Sequence, residues 1–364
     1  MKKKLLSAIL SVAMVATLVG CAAPAAPAAA PAEAAPAAEA TTEEAAPAAD
    51  SAAGTYALVT KSAGNPFNEK VAEGFQNAVA EMGGTAIVQH PESATADAQI
   101  TVIQSLISQG VDSICIAAND ENALQAALEE AKDAGIKVCS VDSSVNVASR
   151  AVHVNQAGVS QIGQALSDAV LDLAGGEGQW AIVSATSQAT NQNAWIDSMK
   201  EIMAADAKYA GLELVEVAYG DDEPQKSTDV TQALLTNYPD LKVICAPTTV
   251  GIAAAAKVLQ DQGSAVKLTG LGLPSEMAEY IGADDAHSCP YMFLWNPIDL
   301  GYLGAYTSAA LVDGTITGAE NDQYTAGVMG DYTVVVAGDG GTEVILGQPF
   351  AFTPENIAEW KDVY

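Results

Sequence analysis

The sequence has few basic residues. Its 364 residues include 15 lysines and arginines against 45 aspartates and glutamates, which gives a net charge of −30. A protein this acidic, with no basic cluster after Lys4, is a poor partner for nucleic acid or for an anionic lipid surface. No run after residue 20 is long and apolar enough to span a bilayer, and three histidines with five cysteines leave little material for a metal site. These absences argue against a DNA-binding regulator, an integral membrane protein and a zinc enzyme.

The motifs of common enzyme classes are also missing. No G-x-G-x-x-G dinucleotide fingerprint follows a predicted strand, and neither the phosphate-binding G-x-x-x-x-G-K-[ST] nor the nucleophile elbow G-x-S-x-G occurs. His90, His153 and His287 lie far apart in the sequence, and none is beside a candidate nucleophile. We therefore expect no enzymatic activity, no metal and no cofactor.

The cysteines of the predicted folded body lie in or open apolar segments, where a free thiol behaves as a small hydrophobic group. They are Cys115, Cys139, Cys245 and Cys289. Cys115 and Cys139 fall in predicted strands that could be neighbours, so a disulfide between them stays open as an alternative to two free thiols.

The first twenty residues have the pattern of a secretory signal peptide. Three lysines follow Met1, and residues 5–19 form an almost uninterrupted apolar run that is too short to span a membrane. The run ends in Leu18-Val19-Gly20-Cys21, which resembles the lipobox of bacterial lipoproteins. The resemblance implies cleavage before Cys21, lipid on Cys21 and an extracytoplasmic protein anchored to the bacterial cell membrane. An ordinary signal peptide with an incidental cysteine is the alternative.

Residues 21–54 predict a tether. The segment is almost entirely alanine and proline with scattered acidic residues, so it cannot bury a core. Its prolines favour extended, semi-rigid stretches, and its like charges repel one another. The folded body is expected to begin near Thr55.

From Thr55 onward, short apolar runs alternate with helical patterns. Strands are predicted near residues 56–60, 85–89, 113–117, 137–141, 179–183, 213–217, 243–246 and 267–271, and helices near 66–82, 97–109, 121–134, 191–204, 225–237, 249–262 and 275–282. Continuous apolar strands separated by helices are typical of parallel sheets buried on both faces. Two successive halves of this kind predict an α/β fold with two doubly wound parallel-sheet lobes joined by a hinge. Residues 332–346 have the pattern of a hairpin that closes one lobe.

Polar and aromatic residues follow the predicted strands. Ligands of open α/β sheets bind beyond the carboxyl ends of the strands, so the candidate ligand-binding residues are those at these positions: Lys61, Asn65, Phe67, Asp120, Asp142, Asn155, Gln156, Asn191, Asn193, Pro247, Thr249 and Trp295. Carboxylates and amides form hydrogen bonds with hydroxyl groups, and an aromatic plane covers the C–H face of a ring. The set predicts a site for a small polyhydroxylated ligand.

Several of these residues also have a structural interpretation. Asn65 is suited to cap the helix that begins at Pro66, and Asp120 could cap a loop. Phe67 and Trp295 could be core residues. These alternatives stay open at the level of the sequence.

The lipobox, the tether, the two-lobed order and the motifs Asn65-Pro66-Phe67 and Val141-Asp142 resemble the type I periplasmic sugar-binding proteins of ABC importers. Within that family, Lys61, Val154-Asn155-Gln156 and Ala189-Thr-Asn-Gln-Asn-Ala-Trp195 resemble the branch that holds the rhamnose-binding proteins and the autoinducer-2 receptors.

The resemblance implies roles for single residues. In the autoinducer-2 receptors, ligand contacts come from a pattern that Lys61, Asp142, Gln156 and Pro247 match. Asn155 stands where the family usually has Asp, and Thr249 stands where it has Ala. Because an unpaired buried polar group costs about 1–3 kcal/mol, these departures leave the identity of the sugar open.

The resemblance further implies a receptor that captures a small sugar-like ligand, autoinducer-2 or of the rhamnose type, by lobe closure and delivers it to the permease and ATPase subunits of an ABC importer. It implies an N-terminal lobe of residues 55–155 plus about 298–328 and a C-terminal lobe of 156–297 plus about 329–364, with hinge crossings near 155–158, 295–298 and 325–330. We expect a monomer. The alternatives are a receptor for chemotaxis or quorum-sensing signalling, a binding protein for another pentose or hexose such as ribose, an enzyme on the same fold, and the sensing core of a repressor.

Overall fold

The computed structural model describes residues 54–364 of the chain. The predicted signal peptide, the predicted tether up to residue 53 and the predicted lipidation of Cys21 lie outside these residues. Within them, no helix is long and apolar enough to cross a membrane. The described residues also contain no group of three or more histidine, cysteine, aspartate or glutamate side chains that could hold a metal ion.

The larger sheet has seven strands. Their bounds are Thr55–Val59 (β1), Thr85–Gln89 (β2), Ser113–Ile116 (β3), Lys137–Val141 (β4), His153–Ala157 (β5), Val335–Val336 (β13) and Thr342–Gly347 (β14). They lie in the order β13-β14-β5-β4-β3-β1-β2, and all neighbours are parallel except β13 and β14. The crossover helices are Pro66–Glu81 (α1), Ala96–Gln109 (α2) and Gln125–Asp133 (α3). Because helices cover this sheet, its central strands are buried along almost their whole length.

The smaller sheet has four parallel strands. They are Gly178–Ser184 (β6), Leu212–Tyr219 (β7), Leu241–Ala246 (β8) and Lys267–Gly270 (β9), in the order β7-β6-β8-β9. The helices of this part are Val159–Leu173 (α4), Thr190–Ala205 (α5), Pro224–Asn237 (α6), Thr249–Asp261 (α7) and the short Pro274–Met277 (α8). Strand Met292–Leu294 (β10) lies beside the end of β9 through a Leu271–Phe293 bridge.

The remaining elements belong to the last third of the chain. They are Pro297–Val312 (α9), Gln323–Thr325 (β11), Asp331–Thr333 (β12), Phe350–Phe352 (β15) and Ile357–Trp360 (α10). Strands β11 and β12 form an antiparallel pair, as do β10 and β15. The two parallel sheets with helices between their strands confirm the predicted α/β fold class.

The helices predicted between residues 66 and 282 are present in the structure, with three differences. Helix α4 is absent from the prediction, because its segment directly follows the predicted hinge crossing at 155–158. Helix α3 begins only at Gln125, after a turn, and α8 ends at Met277, well short of residue 282.

The prediction for the C-terminal segment was wrong in its placement. The hairpin exists as β13 and β14, but β14 pairs in parallel with β5 and so extends the larger sheet instead of joining the second lobe. The free edge of β5 accepts β14, and Val344 becomes fully buried there. After α9, the chain passes from the larger sheet to β15 at residues 348–349. The predicted third crossing lies earlier, near 325–330.

Helices α1 and α9 pack with their backbones in contact. A methyl group added at Gly74 of α1 would lie 1.8 Å from the carbonyl oxygen of Ile298, and one added at Gly301 of α9 would lie 1.9 Å from that of Val71. Only glycine permits so close an approach. The contact sets the start of α1 beside the start of α9, and both helix starts border the site described below.

The four cysteines within the described residues are free and buried. Cys115 and Cys139 are direct register partners on β3 and β4, and the Cys139 Sγ lies 3.3 Å from the Ser308 Oγ. The structure therefore holds two free thiols at this position, and the alternative of a disulfide is not realised.

Candidate functional site

The carboxyl ends of strands from both sheets face a common cleft with a cavity volume of about 30 Å³. Predicted residues from both sheets line it: Lys61, Asn65, Phe67, Asp142, Pro247, Thr249 and Trp295. The rule that ligands bind beyond the carboxyl ends of strands (the strand-end rule) thus selected residues that line one cleft although they are up to 234 positions apart, from Lys61 to Trp295.

A buried hydrogen-bond network crosses the cleft. The Lys61 Nζ donates to the Asn191 Oδ1 at 2.8 Å and to the Gln192 Oε1 at 3.3 Å, and it lies 3.7 Å from the Asp142 Oδ2. The Asn191 Nδ2 donates to the Asp142 Oδ1 at 3.1 Å. Lys61 and Asp142 follow strands of the larger sheet, whereas Asn191 and Gln192 lie in the first turn of α5, so the network joins the two sides of the cleft.

The position of Lys61 is fixed by buried amides behind it. The Asn119 Nδ2 donates to the Lys61 carbonyl oxygen at 2.8 Å, and the Asn119 N–H donates to the Gln99 Oε1 at 2.9 Å. The Gln99 Nε2 in turn donates to the carbonyl oxygens of Thr60 and Ala117. Gln99 is fully buried and ties the ends of β1 and β3 together, which holds the loop that carries Lys61.

Asp142 adopts an unusual backbone conformation directly after β4. Its φ of +61° lies in the left-handed region, which non-glycine residues rarely occupy outside functional sites and turns. Burial raises the pKa of its carboxyl, the Lys61 charge opposes that rise, and the Asp222 charge adds to it. A carboxylate in this setting is short of hydrogen-bond donors and can accept them from hydroxyl groups of a ligand.

Aromatic and capping residues form the rest of the wall. Phe67 and Trp195 both lie edge-on to Trp295, with ring centroids 6.3 and 5.6 Å away. The Asn65 Oδ1 accepts from the Phe67 N–H at 2.9 Å, so Asn65 caps α1 as its structural interpretation required, and the same oxygen accepts from the Thr249 Oγ1 at 3.5 Å. Asn65 is therefore both a cap and a contact across the cleft.

The indole nitrogen of Trp295 has no hydrogen-bond partner among the described residues, although it is buried. Trp295 is only 4% exposed, so water has little access to this N–H as an alternative acceptor. A buried donor without a partner is unfavourable by about 1–3 kcal/mol. Because Trp295 lines the cleft, this N–H is a candidate donor to a ligand there.

A second cavity of about 440 Å³ borders the predicted crossing at residues 155–158, and we call it the hinge-side cavity. Asn155, Gln156 and Asn191 line it, and it shares Asp142 and Trp195 with the cleft. Asp142 and Trp195 therefore border both cavities. The Gln156 Oε1 is buried there without a partner among the described residues.

Two predicted residues do not reach either cavity. The Asp120 Oδ1 accepts from the backbone N–H groups of Asn122 and Ala123, so its carboxylate caps a local turn. The Asn193 Nδ2 donates to the Ser187 carbonyl oxygen. Both are short polar side chains next to exposed turn backbone, which offers them closer partners than the cleft does.

The sequence analysis missed Asp222 and Thr248. Asp222 lies three residues beyond β7 with a φ of +55°, and its Oδ1 accepts from the Thr248 Oγ1 in the wall of the cleft. Its position after a strand is the signal that could have found it. Gln192 and Trp195 lie inside a motif that the sequence analysis recognises, but it does not single them out.

Comparison with known proteins places this geometry in context. Residues 56–316 match the family model of a periplasmic binding protein domain. An ABC transporter solute-binding protein from Clostridium phytofermentas, solved with bound L-rhamnose, is 60% identical and has a TM-score of 0.85, and the match covers 86% of this chain and 99% of that one.

Two further similarities are more distant. LsrB from Clostridium saccharobutylicum, solved in complex with AI-2, is 22% identical with a TM-score of 0.78 over 84% of this chain and 99% of that one, which is a likeness of fold. The D-ribose/D-allose-binding protein of Pseudomonas aeruginosa is 28% identical over 228 residues, which is 59% of this chain and 69% of that protein.

Proposed function

The chain belongs to the periplasmic binding protein family, and we propose that it is the receptor of an ABC importer for a 6-deoxyhexose of the L-rhamnose type. The observation that carries the proposal is the cleft lined by the buried Asp142 and Lys61 and by Trp295, whose indole N–H has no partner among the described residues. The 60% identity to a protein solved with L-rhamnose supports this choice of sugar.

The chemistry of the cleft fits such a ligand. Asp142 and Asp222 accept hydrogen bonds from hydroxyl groups, Lys61 donates to a ring or hydroxyl oxygen, and the Trp295 N–H finds its acceptor on the sugar. Leu271 and Leu294 line the cleft as well and offer an apolar contact to the methyl group of a 6-deoxy sugar.

Binding is coupled to closure in this proposal. The lobe that carries the larger sheet contributes Lys61 and Asp142, and the lobe that carries the smaller sheet contributes Asn191 and Thr249. A ligand that contacts both lobes favours the closed form by its differential affinity, and the closed form is what a permease receives. No covalent step is required, so the sugar leaves chemically unchanged.

The location of the protein follows from the family and from the first residues. We propose that Cys21 carries lipid and that the alanine- and proline-rich tether holds a monomeric body at the outer face of the bacterial cell membrane. Mass spectrometry of the membrane-extracted protein tests the first point, because an acylated Cys21 adds the mass of its lipid. An unmodified N-terminus would contradict it.

The first test is a thermal-shift panel on residues 54–364. It includes L-rhamnose, autoinducer-2 with and without borate, ribose, xylose, galactose and a nucleoside. A ligand at 100 times its Kd is expected to add about 2.7 kcal/mol of stability, which is a shift of a few degrees. L-Rhamnose should give the largest shift. A larger shift with autoinducer-2 or ribose would reassign the ligand, and no shift with any compound would contradict a sugar receptor.

Replacing Trp295 with Phe tests the unpartnered N–H. The change keeps an aromatic ring and removes the donor, so we expect the affinity for L-rhamnose to fall about tenfold. Trp360→Phe is the matched control, because Trp360 packs against Phe350 and Phe352 away from the cleft. Titration calorimetry measures both. Equal affinities of Trp295→Phe and wild type would show that the N–H does not contact the sugar.

A further inference from the structure

Strand β14 contributes a carboxylate to the hinge-side cavity. The Asn155 Nδ2 donates to the Glu343 Oε2 at 2.7 Å, and both residues line this cavity. Glu343 lies on β14, beside β5 in the larger sheet, and it is outside residues 56–316, which match the family model.

This contact fixes the orientation of the Asn155 amide. An ionised carboxylate only accepts hydrogen bonds, so it must face the NH₂ group and not the carbonyl oxygen of the amide. The Asn155 Oδ1 then faces away from Glu343, and it accepts no hydrogen bond from the described residues. Asn155 as a residue is 5% exposed.

A second acceptor in the same cavity lacks a partner. The Gln156 Oε1 is buried without one among the described residues. Neither of these two amide oxygens accepts from a donor among the described residues, so a hydroxyl or N–H group of a ligand can pair with them.

We propose that Glu343 is a positioning residue that holds the Asn155 amide with its oxygen toward the ligand, so that this end of the site selects a hydroxyl donor. The inference rests on the proposed function and deepens it. It also explains why an amide suits position 155: an aspartate there would set two carboxylates against each other in a buried site.

The test is a double-variant cycle read by titration calorimetry with L-rhamnose on the full chain. Asn155→Asp should weaken binding by about 10- to 100-fold, because the new carboxylate faces Glu343. Glu343→Gln alone should stay within about threefold, since its amide oxygen can still accept from Asn155. The double variant should recover to within about fivefold of wild type, because the introduced glutamine amide can donate to the introduced carboxylate. Glu201→Gln on the exposed face of α5 is the matched control.

The outcomes separate the two proposals. No heat with any sugar from the wild-type protein would overturn the proposed function and the inference with it. If the wild type binds and the folded double variant binds no better than Asn155→Asp, only the inference fails. Should Asn155→Asp not fold, Glu343→Ala carries the test: it frees the amide to rotate, and we expect about a tenfold loss, whereas wild-type affinity would overturn the role of Glu343.

Discussion

Replacing Asp142 with Asn is expected to weaken the binding of L-rhamnose by about 100-fold. The substitution keeps the size of the side chain and removes its charge, so hydrogen bonds from ligand hydroxyls that are worth about 1.5–3 kcal/mol each to a carboxylate fall to roughly the 0.5–1.5 kcal/mol of neutral ones. It also leaves Lys61 without its buried counter-ion, although Asn191 and Gln192 still accept from the ammonium group. Titration calorimetry on wild type and variant measures the change.

The control for this experiment is Asp120→Asn. Asp120 has the same chemistry and also follows a strand of the larger sheet, but it caps a turn outside both cavities. Because asparagine can cap the same turn, we expect its affinity to stay within about twofold of wild type. If Asp142→Asn binds as tightly as Asp120→Asn does, the carboxylate of Asp142 is not a ligand contact.

The pH dependence of binding should follow the same residue. Burial raises the pKa of Asp142, so this group takes up a proton at a higher pH than an ordinary aspartate does. The carboxylate that accepts from the sugar is therefore protonated sooner on acidification than an ordinary aspartate would be, and wild-type binding should weaken as the pH falls from neutral. Asp142→Asn, which has no charge to lose at this position, should show a flatter profile. Equal profiles would assign the dependence to another group.

The strand-end rule explains which site residues could be predicted from the sequence. Lys61, Asp142, Pro247 and Trp295 each follow a strand closely, and each lies in the cleft because the carboxyl ends of parallel strands share one edge. The same rule selected Asp120, which local backbone donors hold in a turn. A position just after a strand therefore places a residue at the ligand-binding edge of the sheet. Whether its side chain reaches the ligand depends on whether nearby backbone groups bind that side chain instead.

The residues that support the site could not be found in this way. Gln99 lies in a helix and holds the Lys61 loop through strand-end carbonyl groups, and Glu343 reaches Asn155 across 188 positions of sequence. Neither belongs to a local pattern, since each depends on which strands become neighbours. The choice of β5 as the partner of β14 is also a long-range event, because a hairpin with apolar residues can extend either sheet.

Replacing Gly301 with Ala is expected to destabilise the protein by about 3 kcal/mol. Alanine would gain up to about 1 kcal/mol in helix propensity, but its methyl group would lie 1.9 Å from the carbonyl oxygen of Val71. That oxygen belongs to the backbone of α1, so the strain cannot be relieved by a side-chain rotation, and the two helices must separate. Urea unfolding followed by circular dichroism measures the free energy of unfolding.

Gly304→Ala in the same helix is the matched control. Its methyl group would meet the Cys115 Sγ first, at 3.2 Å, and a thiol can shift by a few tenths of an ångström. The gain in helix propensity should then keep its stability within about 1 kcal/mol of wild type. A Gly301→Ala protein as stable as Gly304→Ala would show that the α1–α9 contact yields without strain.

The consequence of Gly301→Ala for binding follows from where the two helices begin. Asn65 and Phe67 lie at the start of α1, and Trp295 directly precedes the start of α9, so the glycine contact sets the spacing between the Phe67 and Trp295 rings. Separation of the helices moves one aromatic wall of the cleft relative to the other. We therefore expect the folded fraction of Gly301→Ala to bind L-rhamnose at least about tenfold more weakly, because the ring contacts depend on fixed positions of both rings. Gly304→Ala should bind as wild type does. Unchanged affinity in a destabilised Gly301→Ala would separate the helix contact from the geometry of the site.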